Sequence, residues 1–162
     1  LITPRLFKDQ RGHFLETYQA QRYSEYGIPN EFVQDNLSCS VRHVLRGLHY
    51  QLGRPQGKLV MVAEGEIYDV AVDIRKGSST FGKWVGSNLS SENYQQIYIP
   101  QGFAHGFCVI SERATVIYKC TDYYAPSEER GIRWDDPALG INWPVSDPIG
   151  ADKDQAFPFL AE

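Results

Sequence analysis

Two histidines, His49 and His105, stand in strand-like parts of the sequence and could act on protons. An imidazole has an unperturbed pKa of about 6.5, so it can serve as a base, an acid or a metal ligand near neutrality. Strand alternation would place His49 on the same face as Gly47, and Arg46 precedes His49 by three residues. A second cation, Lys58, follows a segment rich in Gly and Pro. The pattern indicates proton transfer near cations, although His49 alone also fits a structural histidine at a strand end.

The elements that must position these residues are β-strands. Short runs rich in β-branched and aromatic residues recur about every ten residues, divided by Gly, Pro, Asn and Ser. Such spacing predicts an antiparallel sandwich or barrel. The predicted strands are residues 32–36, 44–50, 58–63, 67–74, 84–89, 96–99, 106–110 and 114–120. Glu64 and Gly65, between two of these runs, predict a two-residue hairpin loop.

The two ends of the chain have a different pattern. Residues 1–15 are strand-like and are interrupted by a polar turn at 8–12. Residues 16–26 lack Gly and Pro and are followed by Gly27 and Pro29, which predicts a helix with a glycine end. The tail from residue 134 predicts loops, with one short helical piece near Lys153.

Around His105 the sequence reads Pro-x-Gly-x-x-His, which is similar to the second motif of the cupins. We therefore predict an all-β, cupin-like jelly-roll barrel with a few short peripheral helices, formed as a single domain by residues 1–162. Metal-binding cupins supply two histidines one residue apart, but His49 is followed by Tyr50 and Gln51. Because a catalytic metal usually needs three protein ligands, we predict no metal site. His105 could also be a turn histidine that packs the barrel mouth.

The composition narrows the class of protein. A chain of 162 residues is long enough to bury a substantial core. No apolar run approaches 18 residues, so no membrane-spanning helix is predicted. The chain starts without Met or an apolar leader, so we expect no signal peptide and a natural N-terminus that is longer by a few residues. Three cysteines without metal-type spacing favour reduced thiols in the cytoplasm. A net charge of −4 argues against general binding to nucleic acid or membranes, so local cations must hold any anionic ligand.

Several motifs in a fixed order resemble the dTDP-4-dehydrorhamnose 3,5-epimerase family. The longest are Val-Leu-Arg-Gly-Leu-His-Tyr-Gln at 44–51 and Ile-Pro-Gln-Gly-Phe-Ala-His-Gly-Phe at 99–107. The others are at 9–14, 32–36, 56–60, 69–75, 118–119 and 134–137. The resemblance extends from about residue 4 to residue 158. It implies cofactor-independent epimerisation of a dTDP-linked 4-keto-6-deoxyhexose, in dTDP-rhamnose or other deoxysugar biosynthesis.

The resemblance also implies roles for four residues. A C4 ketone acidifies the protons on C3 and C5, so epimerisation needs a base, a stabiliser of the enolate oxygen and an acid on the opposite face. By the resemblance, His49 is the base, Asp154 orients it, Lys58 stabilises the enolate and Tyr118 is the acid. Taken alone, Asp154 could be a helix-start carboxylate, Lys58 a surface lysine and Tyr118 a core residue.

Substrate-binding positions are implied in the same way. Tyr124 would stack on thymine, and strand alternation from Tyr118 favours it over Tyr123. Cations near the diphosphate would be Arg11, Arg46 and Lys153. Base, sugar or other substrate contacts would be Phe14, Glu16, Gln34, Asn36, His105 and Glu129. In the family, Arg11, Phe14 and Glu16 come from the neighbouring subunit, so a homodimer is expected. His13 and His43 match nothing and are expected to be exposed.

Three rival functions remain open at this point. A mono-epimerase that inverts only C3 or C5 would also keep His49, while the presence of Tyr118 favours the double reaction. A metal-dependent cupin oxygenase is disfavoured by the missing ligands. A non-catalytic sugar-nucleotide binding module would keep the binding residues and exchange no protons.

Overall fold

The strand-rich sequence folds into two antiparallel β-sheets that pack face to face, with short helices at the periphery. The structure, a computed structural model, describes residues 1–29 and 31–160. Its elements are β1 (Leu6–Asp9), β2 (Gly12–Leu15), α1 (Ala20–Ser24), β3 (Gln34–Val41), β4 (Leu45–Gln51), β5 (Lys58–Glu64), β6 (Glu66–Asp73), β7 (Trp84–Ser90), β8 (Gln96–Ile99), β9 (Phe103–Val109), β10 (Arg113–Cys120), a 3₁₀ turn (Pro126–Glu128), β11 (Glu129–Gly131) and α2 (Asp152–Gln155). This is a cupin-like jelly roll, and the predicted fold class is confirmed.

The strands divide into two layers and a separate hairpin. The four-stranded sheet has the order β3-β10-β5-β8, and the five-stranded sheet has the order β11-β4-β9-β6-β7. Strands β1 and β2 form the hairpin, with the predicted polar turn between them. The predicted run at 32–36 is displaced, because the strand that it anticipates, β3, begins at Gln34 and continues to Val41.

The core lies between the two sheets and follows from strand alternation. Val60, Val62 and Val116 of the four-stranded sheet are at most 3% exposed. They pack against Ile67 and Phe107 of the five-stranded sheet. Burying one such aliphatic side chain stabilises the fold by about 1.5–3 kcal/mol relative to leaving it exposed. This apolar packing holds the two sheets in a fixed relation.

The outer face of the five-stranded sheet is covered by the C-terminal part of the chain. Val70 and Val72 of β6 form a second buried cluster with Ile132 and Leu139. The Trp84 indole N–H donates to the carbonyl of Leu139 at 2.8 Å. Because both faces of β6 are covered, its sequence is a nearly continuous apolar run rather than an alternating one.

Gly65 turns the chain from one sheet into the other. Strand β5 pairs with β8 and β10, whereas β6 pairs with β7 and β9, so the two strands that flank Gly65 do not pair with each other. The prediction of a hairpin loop at Glu64 and Gly65 is therefore wrong. Gly65 has a φ of +81°, and an added Cβ would lie 2.1 Å from the carbonyl oxygen of Arg113. A positive φ requires glycine at this corner between sheets, just as it does in a two-residue hairpin loop. The local sequence therefore cannot distinguish the two structures.

The predicted helix at 16–26 is confirmed only in part. Helix α1 begins after Gln19, whose side chain accepts a hydrogen bond from the Arg22 N–H at 2.6 Å. Residues 16–19 are not helical, and Thr17 among them is tied to the body of the protein, where its carbonyl accepts from Gln96 at 2.7 Å. The helical piece predicted near Lys153 is present as α2. Within residues 1–29 and 31–160, no helix is long and apolar enough to cross a membrane.

Candidate active site

A cleft of about 330 Å³ opens between the two sheets at the polar end of the core. Ten of the residues predicted from the sequence line it: Gln34, Asn36, Arg46, His49, Lys58, His105, Tyr118, Tyr124, Glu129 and Lys153. The cleft also contains Ser38, Tyr50, Gln51, Gln56 and Phe107, which the sequence analysis did not single out.

Strand register explains which residues of the four-stranded sheet face the cleft. Tyr118 of β10 lies opposite Asn36 of β3, and Cys120 lies opposite Gln34 and Lys58. Directly paired residues share one face of a sheet, and residues two apart do the same. The inner face of this sheet therefore changes from valines at one end to polar side chains at the other.

The five-stranded sheet contributes His49, paired with His105, and Gln51, paired with Glu129. The register of β4 and β9 shifts between Arg46 and His49. Because of this irregularity, Arg46 and His49 both line the cleft although they are three residues apart. Simple alternation, which groups His49 with Gly47 and would place Arg46 on the opposite face, therefore fails between Arg46 and His49.

Gly47 lies at the irregularity, where the backbones of β4 and β9 approach closely. Its φ is +121°, and an added Cβ would lie 2.6 Å from both the Gly106 Cα and the His105 carbonyl oxygen. Only glycine fits both the conformation and the space. The glycine in the Arg-Gly-Leu-His motif thus permits the local backbone that turns His49 into the cleft.

His49 is bonded to a buried carboxylate from the far end of the chain. Its Nε2 lies 2.7 Å from Asp154 Oδ1, and Asp154 is 2% exposed. The other carboxylate oxygen, Oδ2, accepts from the Gly47 N–H at 3.3 Å. Burial opposes ionisation, but His49, Gly47 and Lys153 together outweigh it and lower the pKa of the Asp154 carboxyl. The ring nitrogen of His49 that remains available is Nδ1.

A second buried pair joins His105 to Asp69, with Nε2 2.8 Å from Oδ2. Asp69 is completely buried, and its Oδ1 has no hydrogen-bond partner among the residues that the structure describes. Burial lowers the pKa of His105, and the Asp69 carboxylate counteracts part of that effect. Asp69 was not predicted as a site residue; its signals are a carboxylate within the apolar run of β6 and its place at the start of the family motif at 69–75.

Lys58 and Tyr118 lie on the sheet that faces His49. Burial lowers the pKa of Lys58, against the opposing influence of Cys120, Asp69 and Glu129. Burial also raises the pKa of the Tyr118 phenol above its ordinary value. Tyr118 therefore stays protonated at neutral pH and can donate a proton.

Polar residues at the mouth of the cleft form a connected chain. The Tyr124 hydroxyl donates to Glu129 at 3.1 Å, and the Lys153 ammonium donates to both oxygens of Glu129 at 3.0 Å. Desolvation alone would raise the pKa of the Glu129 carboxyl. The hydrogen bonds and charge of Lys153 and the hydrogen bond from Tyr124 outweigh it, so the pKa of Glu129 lies below its ordinary value. The Arg46 Nε donates to Ser40 at 3.1 Å, and the described residues make no other hydrogen bond or ion pair with its exposed guanidinium.

Tyr124 lines the cleft and Tyr123 does not, as predicted. The reason differs from the predicted one, because β10 ends at Cys120 and its alternation does not extend to residue 124. Tyr123 is 55% exposed and lies under the Arg54 guanidinium, 5.8 Å from the ring centre.

Three predicted binding residues lie outside the cleft of the single chain. Arg11 is in the β1–β2 turn, where its Nε donates to Asp9 at 3.0 Å. Phe14 and Glu16 line a separate cavity of about 880 Å³ beside the N-terminal segment. His13 and His43 are exposed, as predicted.

The residues that sequence analysis missed carry a partial signal. Ser38 lies two residues after Asn36, Gln51 two after His49, and Phe107 two after His105, so strand alternation could have placed them in the cleft. Tyr50 and Gln56 have no comparable signal. Among residues 1–29 and 31–160, no three His, Cys, Asp or Glu side chains are grouped closely enough to hold a metal ion.

The fold and the cleft place the chain among cupin-like proteins that carry acid–base side chains between their two sheets. The sequence model of the family described as dTDP-4-dehydrorhamnose 3,5-epimerase matches residues 1–162. The chain therefore belongs to the dTDP-4-dehydrorhamnose 3,5-epimerase family, and its activity is that of an epimerase, an isomerase.

Individual relatives agree with this placement. The dTDP-4-dehydrorhamnose 3,5-epimerase of Pseudomonas aeruginosa is 55% identical over 157 residues, which are 96% of this chain and 87% of the relative. The crystal structure of dTDP-6-deoxy-D-glucose-3,5-epimerase from Legionella pneumophila, in complex with dTDP-4-keto-L-rhamnose, has a TM-score of 0.95 and 54% identity. That match covers 98% of this chain and 86% of the relative. A dTDP-4-dehydrorhamnose 3-epimerase of Streptomyces niveus is 42% identical, over 99% of this chain and 79% of the relative.

Proposed function

We propose that this epimerase inverts C3 and C5 of dTDP-4-dehydro-6-deoxy-D-glucose to give dTDP-4-dehydro-L-rhamnose, without a cofactor, in dTDP-rhamnose biosynthesis. The observation that carries the proposal is the His49–Asp154 pair at 2.7 Å, which faces Tyr118 and Lys58 across one cleft. A base and an acid on opposite sheets suit a reaction that removes a proton from one face of a carbon and returns one to the other.

In the first step, Nδ1 of His49 removes the proton from C3 or C5. The electron pair of the broken C–H bond forms a C=C bond to C4, and the carbonyl pair moves onto the C4 oxygen. Asp154 holds the Nε2 proton and stabilises the imidazolium that forms, as orienting carboxylates do in other histidine bases. Lys58 stabilises the enolate oxygen, and its desolvated position in the cleft strengthens that interaction.

In the second step, the enolate collapses toward the opposite face. The C4 carbonyl re-forms, and the carbon takes the proton of the Tyr118 hydroxyl. Exchange with water then removes the proton from His49 and returns one to Tyr118. Repeating the cycle at the second carbon completes the double epimerisation.

The nucleotide holds the sugar in place. We assign the exposed ring of Tyr124 to stacking on thymine, and Arg46 and Lys153 to the diphosphate. Gln34 and Asn36 line the same side of the cleft and are assigned to base or sugar contacts. The dTDP-4-keto-L-rhamnose bound by the Legionella relative supports a ligand of this chemistry.

We further propose a cytoplasmic homodimer. In one chain Arg11, Phe14 and Glu16 lie away from the cleft, so their predicted contact with substrate requires a second copy that presents its β1–β2 hairpin. A cytoplasmic location is supported by three free cysteines, of which Cys108 and Cys120 are buried.

The test is the conversion of dTDP-4-dehydro-6-deoxy-D-glucose, followed by ¹H NMR. We expect the resonances of the L-rhamno product with the wild type and none with His49→Asn, while both proteins bind dTDP. Binding of dTDP without product formation by the wild type would instead identify a binding module and refute the proposal.

A mono-epimerase is the second candidate, because the Streptomyces niveus relative is named a 3-epimerase. Its product would carry one inverted carbon rather than two. Coupling constants of the product ring protons distinguish these outcomes in the same spectrum.

A further inference from the structure

Beyond Thr121, whose N–H donates to the Gly57 carbonyl at 3.0 Å, the loop that carries Tyr124 makes no sheet hydrogen bond with the described residues. Strand β10 ends at Cys120 and the 3₁₀ turn begins at Pro126, so residues 121–125 lie in irregular structure. Buried or partly buried backbone groups need partners, and here side chains supply them. The position of the Tyr124 ring therefore depends on those side chains.

Three glutamines, Gln34, Gln51 and Gln56, form what we call the glutamine cradle. Gln56 Nε2 donates to the carbonyl of Asp122 at 2.8 Å. Gln51 Nε2 donates to the carbonyl of Tyr123 at 3.2 Å, and its Oε1 accepts from the Ala125 N–H at 2.8 Å.

The remaining bond of the cradle reaches Tyr124 itself, because the Tyr124 N–H donates to Gln34 Oε1 at 2.8 Å. Residues 122–125 are thus fixed by side-chain amides from two strands and from the connection between β4 and β5. Gln34 begins β3 and Gln51 ends β4, so the loop is tied to both sheets across the mouth of the cleft.

Gln51 is the central member. It is 7% exposed, and its Nε2 also donates to the carbonyl of Arg54 at 2.7 Å. Only one orientation of the amide suits this site, because a flipped group would put its oxygen against two carbonyls. A neutral amide meets two acceptors and one donor without adding charge beside the diphosphate site. No role in the proposed proton transfer accounts for these bonds.

We propose that Gln51 is a positioning residue that, with the rest of the cradle, holds Tyr124 as a rigid platform for the nucleobase. The inference rests on the proposed function, in which Tyr124 stacks on thymine. If the Tyr124 ring is already held in place before the nucleotide binds, no binding free energy is lost in ordering it. The cradle therefore strengthens nucleotide binding. The cradle acts through Tyr124 and therefore contributes to KM and Kd rather than to kcat.

The test compares dTDP binding by calorimetry with kcat at saturating substrate. Gln51→Glu has nearly the same shape but cannot donate to the carbonyls of Arg54 and Tyr123. We expect dTDP binding to weaken about tenfold, because two hydrogen bonds are lost and the carboxylate repels the two carbonyl oxygens that accepted them. We expect kcat to stay within about threefold of wild type. The matched control is Gln21→Glu, an exposed position on α1, which should leave both values unchanged.

A double-variant cycle separates positioning from a general structural role. If Gln51 acts through Tyr124, then Gln51→Met, which removes the same bonds without placing a charge near the diphosphate, should weaken dTDP binding about tenfold in the wild-type background and less than about twofold in a Tyr124→Ala background. An undiminished tenfold effect in that background would overturn the inference, and so would wild-type binding by Gln51→Glu or a loss confined to kcat. The methionine variant also carries the comparison of dTDP binding with kcat if the glutamate variant fails to fold. Failure of the proposed function is visible in the wild type, as an absence of product formation or of dTDP binding, whereas failure of the cradle is visible only in the variants.

Discussion

Replacing Asp154 with asparagine should disable the proposed base while leaving the shape of the cleft unchanged. The carboxylate accepts from His49 Nε2 on one oxygen and from the Gly47 N–H on the other, at 2.7 and 3.3 Å. In the variant, the Gly47 N–H requires the amide oxygen, so the amide NH₂ must face His49. Nε2 then becomes an acceptor and the ring proton moves to Nδ1. The nitrogen that should remove the substrate proton is thereby blocked.

The size of the effect follows from what a positioned base contributes. General-base catalysis supplies about 10²–10⁴-fold, which corresponds to about 2.7–5.4 kcal/mol of activation free energy. We expect Asp154→Asn to lose a factor of this order in kcat. Asp154 is 2% exposed and lies behind His49, so dTDP affinity should change little.

The assay is the rate of product formation by NMR, with dTDP binding measured on the same preparations. Asp152→Asn is the matched control, since Asp152 lies on the same short helix but is exposed. A kcat for Asp154→Asn within about threefold of wild type would refute the role of the pair. An equal loss in the Asp152→Asn control would show that the helix, and not the carboxylate, is responsible.

Three further predictions concern the facing sheet and a buried carboxylate elsewhere. Lys58→Met should lower kcat about 10²–10³-fold in steady-state kinetics, because it removes the cation for the enolate, and an unchanged kcat would contradict that role. Tyr118→Phe should still exchange substrate protons with solvent, since the base remains, but should form little inverted product by NMR, since the acid is lost. Normal inversion by this variant would exclude Tyr118 as the acid. Asp73 is 1% exposed, and its carboxyl accepts hydrogen bonds from Arg75, Thr80 and Ser78. These bonds lower the pKa of the carboxyl, and Arg75 has the largest effect. A lowered folded-state pKa gives stability that is present above the unfolded pKa, near 3.9, and is lost as pH falls. Thermal melts of Asp73→Asn should therefore show lower stability at pH 7 and a smaller decline toward pH 2, and identical pH slopes would contradict this assignment.

The fold could be predicted from local patterns, whereas the connections between sheets could not. Strand runs and their turn residues indicated a jelly roll, and the histidine motif that leads into β9 supported it. Gly65 shows the limit, because a hairpin and a corner between sheets both require a positive φ from the same small residue. Only the long-range pairing of β5 with β8 and β10 distinguishes them.

The site could be predicted where residues follow strand alternation or match the family motifs. Asp154 is 105 residues from His49, so the resemblance alone suggested their pairing. The register shift at Gly47 is a backbone feature that alternation cannot anticipate. Asp69 and Gln51 were missed because their importance lies in what they bond to, and those partners become apparent only when the two sheets are assembled.

The most direct test of the account is the reaction of dTDP-4-dehydro-6-deoxy-D-glucose with the enzyme in deuterated water. The proposed cycle draws each returned proton from an exchangeable phenol, so we expect deuterium at both C3 and C5 of an L-configured product. Deuterium at only one of the two carbons, or an L-configured product without label, would contradict it.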